Sequence, residues 1–517
     1  MSDFMTNLMD AVHENSPNVS VTENGAVGFS TSGKALVDLN YMLSSMRNME
    51  KDEIWQRFLS AYNEDPMLAV LWLFFARDCR EGCGERRTFR IIFERFCREN
   101  PGAAEKLLPL LPFYGRWDDL TGVFFGDVPC AVRDAALTII RKTLASDMDA
   151  LRDEKPVSLL AKWLPSGNTS SPETRRKALR IISSMNLSPR RYRKVLSALR
   201  RRIDIAEAKM SAGEWSSIDY SAVPSRAAMV YRGAFARHDR ERYDAFLSDV
   251  RSGASKINAR VLYPYDIVHA YQWKCDRKVD ETLEAQWEAL PNMVPADQST
   301  LVVVDGSGSM CASVGNSNVT CLDVAYSLGI YFAGKLSGPY YNRFITFSSK
   351  PQYVSFADGL TLRAKLDIMN HYEDCTNTNI EKVFGLILET AVKNRLKQED
   401  IPANILIVTD GEFDSMTCQY DYFGDHKHHY ADKALFDVIR NRWEAFGYKL
   451  PRLVFWNVCS RTGTIPLTTN DLGVALVSGF SPNIADMVMS GELDPYKCLV
   501  TKLMSDRYKP VQNALKE

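Results

Sequence analysis

The stretch Ser299 to Met310, read STLVVVDGSGSM, restricts the possible folds more than any other part of the chain. Leu301 to Val304 form an apolar run short enough for a buried strand and rich in β-branched residues. The run stops abruptly at Asp305-Gly306-Ser307-Gly308-Ser309. A strand buried on both faces that ends in a carboxylate, two hydroxyls and two glycines belongs to the C-terminal edge of a parallel α/β sheet, where ligands bind. Glycine lets the backbone curl tightly, so Asp305, Ser307 and Ser309 can direct their oxygens into one small volume. An all-oxygen set of low charge suits a hard cation that keeps positions for water or a ligand.

Two later stretches complete a pattern. Ile405 to Val408 form a second apolar run, followed by Thr409 and then by Asp410-Gly411, and Cys375-Thr376-Asn377-Thr378-Asn379-Ile380 precedes a helical pattern. Asp-x-Ser-x-Ser after a strand, a threonine in a second loop and an aspartate at the end of a later strand resemble the metal-ion-dependent adhesion site of von Willebrand factor A (VWA) domains. The resemblance implies Asp305, Ser307, Ser309, Thr378 and Asp410 as metal ligands. Thr378 is preferred to Thr376 because the family's threonine sits just before its helix. With two carboxylates and three hydroxyls, Mg²⁺ is the expected ion and Mn²⁺ a competent substitute. The remaining coordination position would accept a carboxylate from a partner protein or a phosphate oxygen.

Around these motifs the second half alternates strand and helix, as a doubly wound sheet does. Helices are expected over Cys321 to Leu336, Leu362 to Met369, Ile380 to Leu396 and Ala431 to Phe446, and strands over Arg343 to Phe347, Asn404 to Thr409, Arg452 to Val458 and Gly473 to Val477. The VWA domain is expected over 299–490, with a helical tail over 491–517. The loop after Asp410 carries Glu412, Asp414, Asp421, Asp425 and His426-Lys427-His428-His429. Glu412 could add charge near the cation, but no second ligand set with clear spacing accompanies it, so the loop reads as a polar surface excursion.

A chain of 517 residues is too long for one core. Residues 1–33 are polar and read as a mobile arm or a loosely docked strand. From 34 to 290 the pattern is helical, cut by prolines such as Pro66, Pro101, Pro165, Pro189, Pro224 and Pro264 into many short amphipathic helices. This suggests a HEAT-like α-helical array, followed by a hinge over 291–298. Arg175, Arg176, Lys177, Arg180, Arg190, Arg191, Arg193, Lys194, Arg200, Arg201 and Arg202 lie in one stretch with no Asp or Glu among them. Leu179, Ile181, Ile182, Met185, Leu187, Val195, Leu196 and Leu199 mark the inward faces of two helices. The basic residues then share the solvent side, as a ridge able to neutralise phosphates. The aromatic break Phe113-Tyr114-Gly115-Arg116-Trp117 and the mixed-charge turn from Arg77 to Arg87 read as structural junctions.

A helical first half, a joint near Pro291 and Pro295 and a C-terminal metal-site motif resemble the Ro autoantigen (TROVE) family. The chain is more similar still to an uncharacterised bacterial, fungal and viral family of the same plan, through Tyr114-Gly115-Arg116-Trp117-Asp118-Asp119-Leu120, Ala161-Lys162-Trp163-Leu164-Pro165-Ser166, Tyr192-Arg193-Lys194-Val195-Leu196-Ser197 and Val223-Pro224-Ser225. The Ro resemblance implies a ring of helical repeats that holds small structured RNAs or RNA ends. The expected function is a non-catalytic RNA-binding scaffold with a Mg²⁺-dependent ligand site, against an alternative in which the metal captures an acidic residue of a partner protein without RNA. No catalytic triad, phosphate-cradling lysine loop or zinc-protease signature is present, so no enzymatic activity is expected. The eleven scattered cysteines, the polar N-terminus and the lack of any long apolar run suggest a cytoplasmic protein with no membrane partner. A net charge of -1 argues against indiscriminate nucleic-acid binding, and no DNA specificity is expected.

Overall fold

The computed structural model describes residues 18–203, 205–272, 278–294, 299–315, 317–372, 376–415, 434–485 and 492–516. The expected features at Asp421, Asp425, His426 to His429 and hinge residues 295–298 lie outside the described residues. Two compact units are present. One comprises Met1–Asp65, Tyr263–Lys278 and Asn292–Lys502; the other comprises Pro66–Leu262, Val279–Pro291 and Leu503–Glu517. The expected boundaries at 34–290 and 299–490 follow chain order, whereas the units exchange segments.

The first unit is built on a six-stranded sheet. Its strands are β3 (Thr300–Asp305), β4 (Arg343–Phe347), β5 (Pro351–Ser355), β6 (Asn404–Thr409), β7 (Arg452–Asn457) and β8 (Val474–Ser478). Their order is β5-β4-β3-β6-β7-β8, parallel throughout except that β5 runs antiparallel to β4. The central strands are apolar because they are covered on both faces: Val302 to Val304, Ile405 to Val408 and Leu453 to Trp456 are all buried. β5 is an edge strand that the apolar pattern does not announce. It begins with a proline and leaves Tyr353 exposed, which an edge position tolerates. The chain leaves β3 toward β4 on one side and returns to β6 on the other, so the crevice between the ends of β3 and β6 is a topological switch point.

Three further segments complete this unit. The helix Cys321–Lys335 is buried along nearly its whole length, because the helix Pro264–Gln272 packs against it while it packs on β3, β4 and β6. The helix Ala35–Tyr41 lies against β8. Just beyond it, the Ser44 and Ser478 hydroxyls are 2.6 Å apart, and Asn457 Nδ2 donates to the Tyr41 carbonyl at 2.7 Å. Residues 18–33 are neither an arm nor a single strand. β1 (Ser20–Val21) and β2 (Val27–Gly28) form an antiparallel hairpin, with bridges from Gly25 to Asp414 and from Phe29 to Ile465.

The second unit is an α-helical, repeat-like array. In the helix Pro66–Arg77 every residue from Leu68 onward is buried. The buried Arg77 guanidinium donates to Asp119 Oδ2 at 2.9 and 2.6 Å, while Arg90 Nε holds the other oxygen at 2.7 Å. The C-terminal helix Lys509–Lys516 packs on Pro66–Arg77 and Pro101–Leu107. Ahead of it, Arg507 makes a two-pronged pair with Asp78 at 2.7 and 2.9 Å, and Tyr508 stacks on Tyr114 with ring centres 5.7 Å apart. The aromatic break and the mixed-charge turn are thus junctions that tie the end of the chain down. Among the described residues no helix is long and apolar enough to cross a membrane.

Candidate functional site

Asp305 ends β3 and Asp410 follows β6, and both carboxylates are fully buried. Asp305 Oδ1 accepts the Ser307 N–H at 3.0 Å, and its Oδ2 accepts the Thr409 hydroxyl at 2.5 Å. The Ser307 and Ser309 hydroxyls lie 3.0 Å apart, and the Ser309 side chain is near enough to Asp410 to favour its charged form. Asp410 Oδ1 accepts the Glu412 N–H at 3.2 Å. Among the described residues its Oδ2 is buried without a hydrogen bond and pairs with Arg461, whose Nη1 lies at 3.4 Å. Gly411, at φ +79, provides the left-handed turn that aims Asp410 and Glu412 apart.

Asp305, Ser307, Ser309 and Asp410 therefore meet in one cluster. Thr378 is buried in the adjoining loop, where its hydroxyl accepts from Asn24 Nδ2 at 3.3 Å and its carbonyl from the Asp414 N–H at 3.1 Å. That loop is joined to the serine turn by the Gly308 N–H, which donates to the Thr376 carbonyl at 2.9 Å. Thr376 itself is exposed, and its hydroxyl is engaged with Ser348 Oγ at 3.0 Å.

Burial raises the pKa of both carboxylates, and the Asp410 charge raises that of Asp305 further. Arg461 opposes the shift at Asp410. A pair of buried carboxylates, one with an oxygen lacking a hydrogen bond, beside two converging hydroxyls fits a hard divalent cation. Among the described residues no group of three or more His, Cys, Asp or Glu side chains is disposed to hold a metal; this cluster has two carboxylates and relies on hydroxyls. Glu412 adds its charge from beside the cluster, where it raises the Asp410 pKa further, but its oxygens are engaged elsewhere. Its Oε1 accepts the N–H groups of Arg461 and Thr462 at 2.8 and 2.9 Å, and its Oε2 accepts the Glu23 N–H at 2.8 Å, so it is a clamp between two loops.

Four residues at the site escape the sequence motif. Thr409 supports Asp305, Asn24 reaches Thr378, Arg461 faces Asp410, and Glu23 Oε2 binds Arg461 Nε at 2.5 Å. Arg461 had a signal, since it follows β7 and therefore lies at the same ligand-binding edge of the sheet. Glu23 and Asn24 had none, being some 400 residues away in sequence from the loops they touch.

The basic stretch occupies the helices Pro172–Ser184 and Pro189–Ile203. Tyr192, Leu196 and Leu199 are buried. At about 100° per residue, Arg190, Lys194 and Arg201 fall on the opposite stripe. Arg190, Arg191, Arg193, Lys194 and Arg201 are exposed and make no ion pair among the described residues. Arg176 is exposed too, and its charge acts on Glu173. Other members are engaged locally. Lys177 pairs with Glu173 at 2.6 Å, Arg175 donates to the Thr169 carbonyl at 2.9 Å, Arg180 lies over Phe124, and Arg202 binds the Glu154 carbonyl. Arg200 turns inward and donates to Ala161 O, Leu164 O and Ser166 Oγ at 2.9, 2.7 and 2.7 Å. Leu179 is 52% exposed, so it is not part of the inward face expected of it. It is one residue off the Ala178, Ile181 and Ile182 stripe that the helix buries.

Residues 299–509 match the model of a domain of unknown function, DUF7788, and residues 170–297 match that of a second, DUF2828. An uncharacterised protein of Acanthamoeba polyphaga mimivirus is 29% identical to this chain, covering 92% of it and 85% of its own length. Among solved structures, the Deinococcus radiodurans RO (RSR) protein is similar at a TM-score of 0.39 and 16% identity, over 87% of this chain and 93% of that one.

Proposed function

We propose that the protein is a non-catalytic RNA-binding scaffold whose α/β unit carries a VWA-like, Mg²⁺-dependent ligand site. The observation that carries the RNA reading is the solvent side of the helix Pro189–Ile203, where Arg190, Arg191, Arg193, Lys194 and Arg201 are exposed and make no ion pair among the described residues. Solvated cations without acidic neighbours release phosphate counterions at little desolvation cost, which favours a polyanion. Closely spaced phosphates of a small structured RNA match a row of charges on one helix face. In the α/β unit, Asp305, Ser307, Ser309 and Asp410 would hold Mg²⁺ or Mn²⁺, with Thr378 as the fifth donor. A bound cation there would neutralise the buried carboxylates and polarise an oxygen ligand.

A second reading is a cation-dependent capture of a partner's acidic residue, supported by the partly exposed Arg461 guanidinium at the rim. Both readings are tested by titrating a structured RNA hairpin against the full chain over a salt series. Replacing Arg190, Arg191, Arg193 and Lys194 together by Gln should lower the slope of log affinity against log salt by about 3 to 4. An unchanged slope would remove the RNA reading and leave the acidic-partner one.

A further inference from the structure

The charge balance of the carboxylate pair depends on one side chain supplied by the chain itself. Among the described residues, Arg461 is the one cationic side chain that pairs with either Asp305 or Asp410. Its position is built in. Glu412 accepts the Arg461 backbone N–H through one oxygen and the Glu23 backbone N–H through the other, both at 2.8 Å. A single buried carboxylate therefore anchors the loop that bears Arg461 and the hairpin that bears Glu23. The two side chains then meet at 2.5 Å, Arg461 Nε to Glu23 Oε2, while Arg461 Nη1 reaches Asp410 Oδ2. The side chains of Arg461 and Glu23 are 35% and 57% exposed, which leaves both free to turn toward solvent.

We infer that Arg461 is an internal counter-cation which competes with a divalent ion for Asp410 Oδ2, and that Glu23 sets the strength of the competition. This rests on the cation-site reading given above. Among the described residues Asp410 Oδ2 has no hydrogen bond, so it is open to the guanidinium at 3.4 Å and equally to a coordinated ion, and each weakens the pull of the carboxylate on the other. A positive charge a few ångströms from a divalent ion also repels it through a partly buried, weakly screening medium. Glu23 draws the guanidinium away from Asp410 and offsets its charge. Without Glu23, Arg461 commits fully to Asp410. The N-terminal hairpin is then the element through which a distant part of the chain acts on the site, because its tip also supplies Asn24 to Thr378.

The test is Mn²⁺ binding to the full chain, read calorimetrically and by the paramagnetic resonance of free Mn²⁺. Arg461→Gln should tighten binding about ten-fold or more, and Arg461→Lys, which keeps the charge, should stay nearer the natural chain. Glu23→Gln should weaken binding about three-fold, and that effect should shrink when Arg461→Gln is also present. Equal or weaker binding by Arg461→Gln overturns the inference. Equal effects of Glu23→Gln in both backgrounds remove Glu23 from it. Asp410→Asn separates the two levels. If it binds Mn²⁺ as the natural chain does, the cation-site reading falls and the inference with it. If it abolishes binding while Arg461→Gln matches the natural chain, the Arg461 inference alone is lost.

Discussion

At the switch point of the sheet, Asp305 and Asp410 are buried and Arg461 pairs with Asp410 alone, whereas on the helix Pro189–Ile203 five exposed cationic side chains make no ion pair among the described residues. Both regions are out of charge balance, yet the costs differ greatly. An exposed charge is screened and costs little to leave unpaired, while a buried one carries a desolvation penalty of several kcal/mol that only close partners offset. The basic helix is therefore stable as it is and has binding energy to offer. The carboxylate pair is stressed as it is and gains stability from whatever neutralises it. A third place, Asp119, shows what a satisfied buried carboxylate looks like, with Arg77 on one oxygen and Arg90 on the other.

That contrast breaks most visibly by mutation of the satisfied carboxylate. Asp119→Ala should destabilise the helical unit by about 3–5 kcal/mol, because it strands the buried Arg77 guanidinium. Asp410→Asn, at an equally buried position, should cost close to nothing in the absence of divalent ions, since it relieves repulsion with Asp305. Urea unfolding of the two variants, followed by far-ultraviolet circular dichroism, checks the pair. Equal losses would mean that Asp410 is as well compensated as Asp119.

The carboxylate pair should also leave a mark on pH dependence. Burial, and for Asp305 the Asp410 charge, raise the folded pKa values above the unfolded carboxylate value near 4. The folded protein then binds more protons than the unfolded chain over that interval. The stability contribution is fully present below about pH 4 and is lost as pH rises through the raised values toward neutrality. Relative to Asp410→Asn, the natural chain without divalent ions should lose about 2 kcal/mol across this window. Millimolar Mg²⁺ should restore the loss in the natural chain and not in the variant. Melting curves at matched ionic strength measure both, and identical profiles for the two chains would show that the pair carries no such stress.

The sequence exposes these two regions unequally, for physical reasons. Strands buried on both faces are written as runs such as Leu301 to Val304 and Ile405 to Val408, and parallel pairing then fixes which end faces a ligand. Asp305, Ser307, Ser309 and Asp410 are legible because they are next to those runs. Thr378 is preferred to Thr376 only through the resemblance, since no local pattern separates the two. Arg461 and Glu23 are set by loop-to-loop contacts, and Glu23 is polar in a polar segment, so nothing local marks it. The hairpin at 18–31 has too few apolar residues for a period of two to show. Along the basic stretch, net charge is visible in the sequence, but the partner of each side chain is not. Arg190 and Arg200 look alike in a string of letters, and only packing separates them.

That last pair makes the finest test of the contrast. Arg200 donates to two carbonyls and a hydroxyl around Ala161 to Ser166, so its charge is spent on holding the chain before Pro165 and Ser166 in place. Arg200→Ala should cost about 1.5 kcal/mol of stability, the range for a charge-assisted hydrogen-bond set, and leave the salt slope of RNA binding unchanged. Arg190→Ala should leave stability within about 0.5 kcal/mol and lower that slope by about 1. If the two substitutions instead shift the slope equally, the half-buried donors of Arg200 still reach phosphate, and the division between structural and free cations on this helix does not hold in solution.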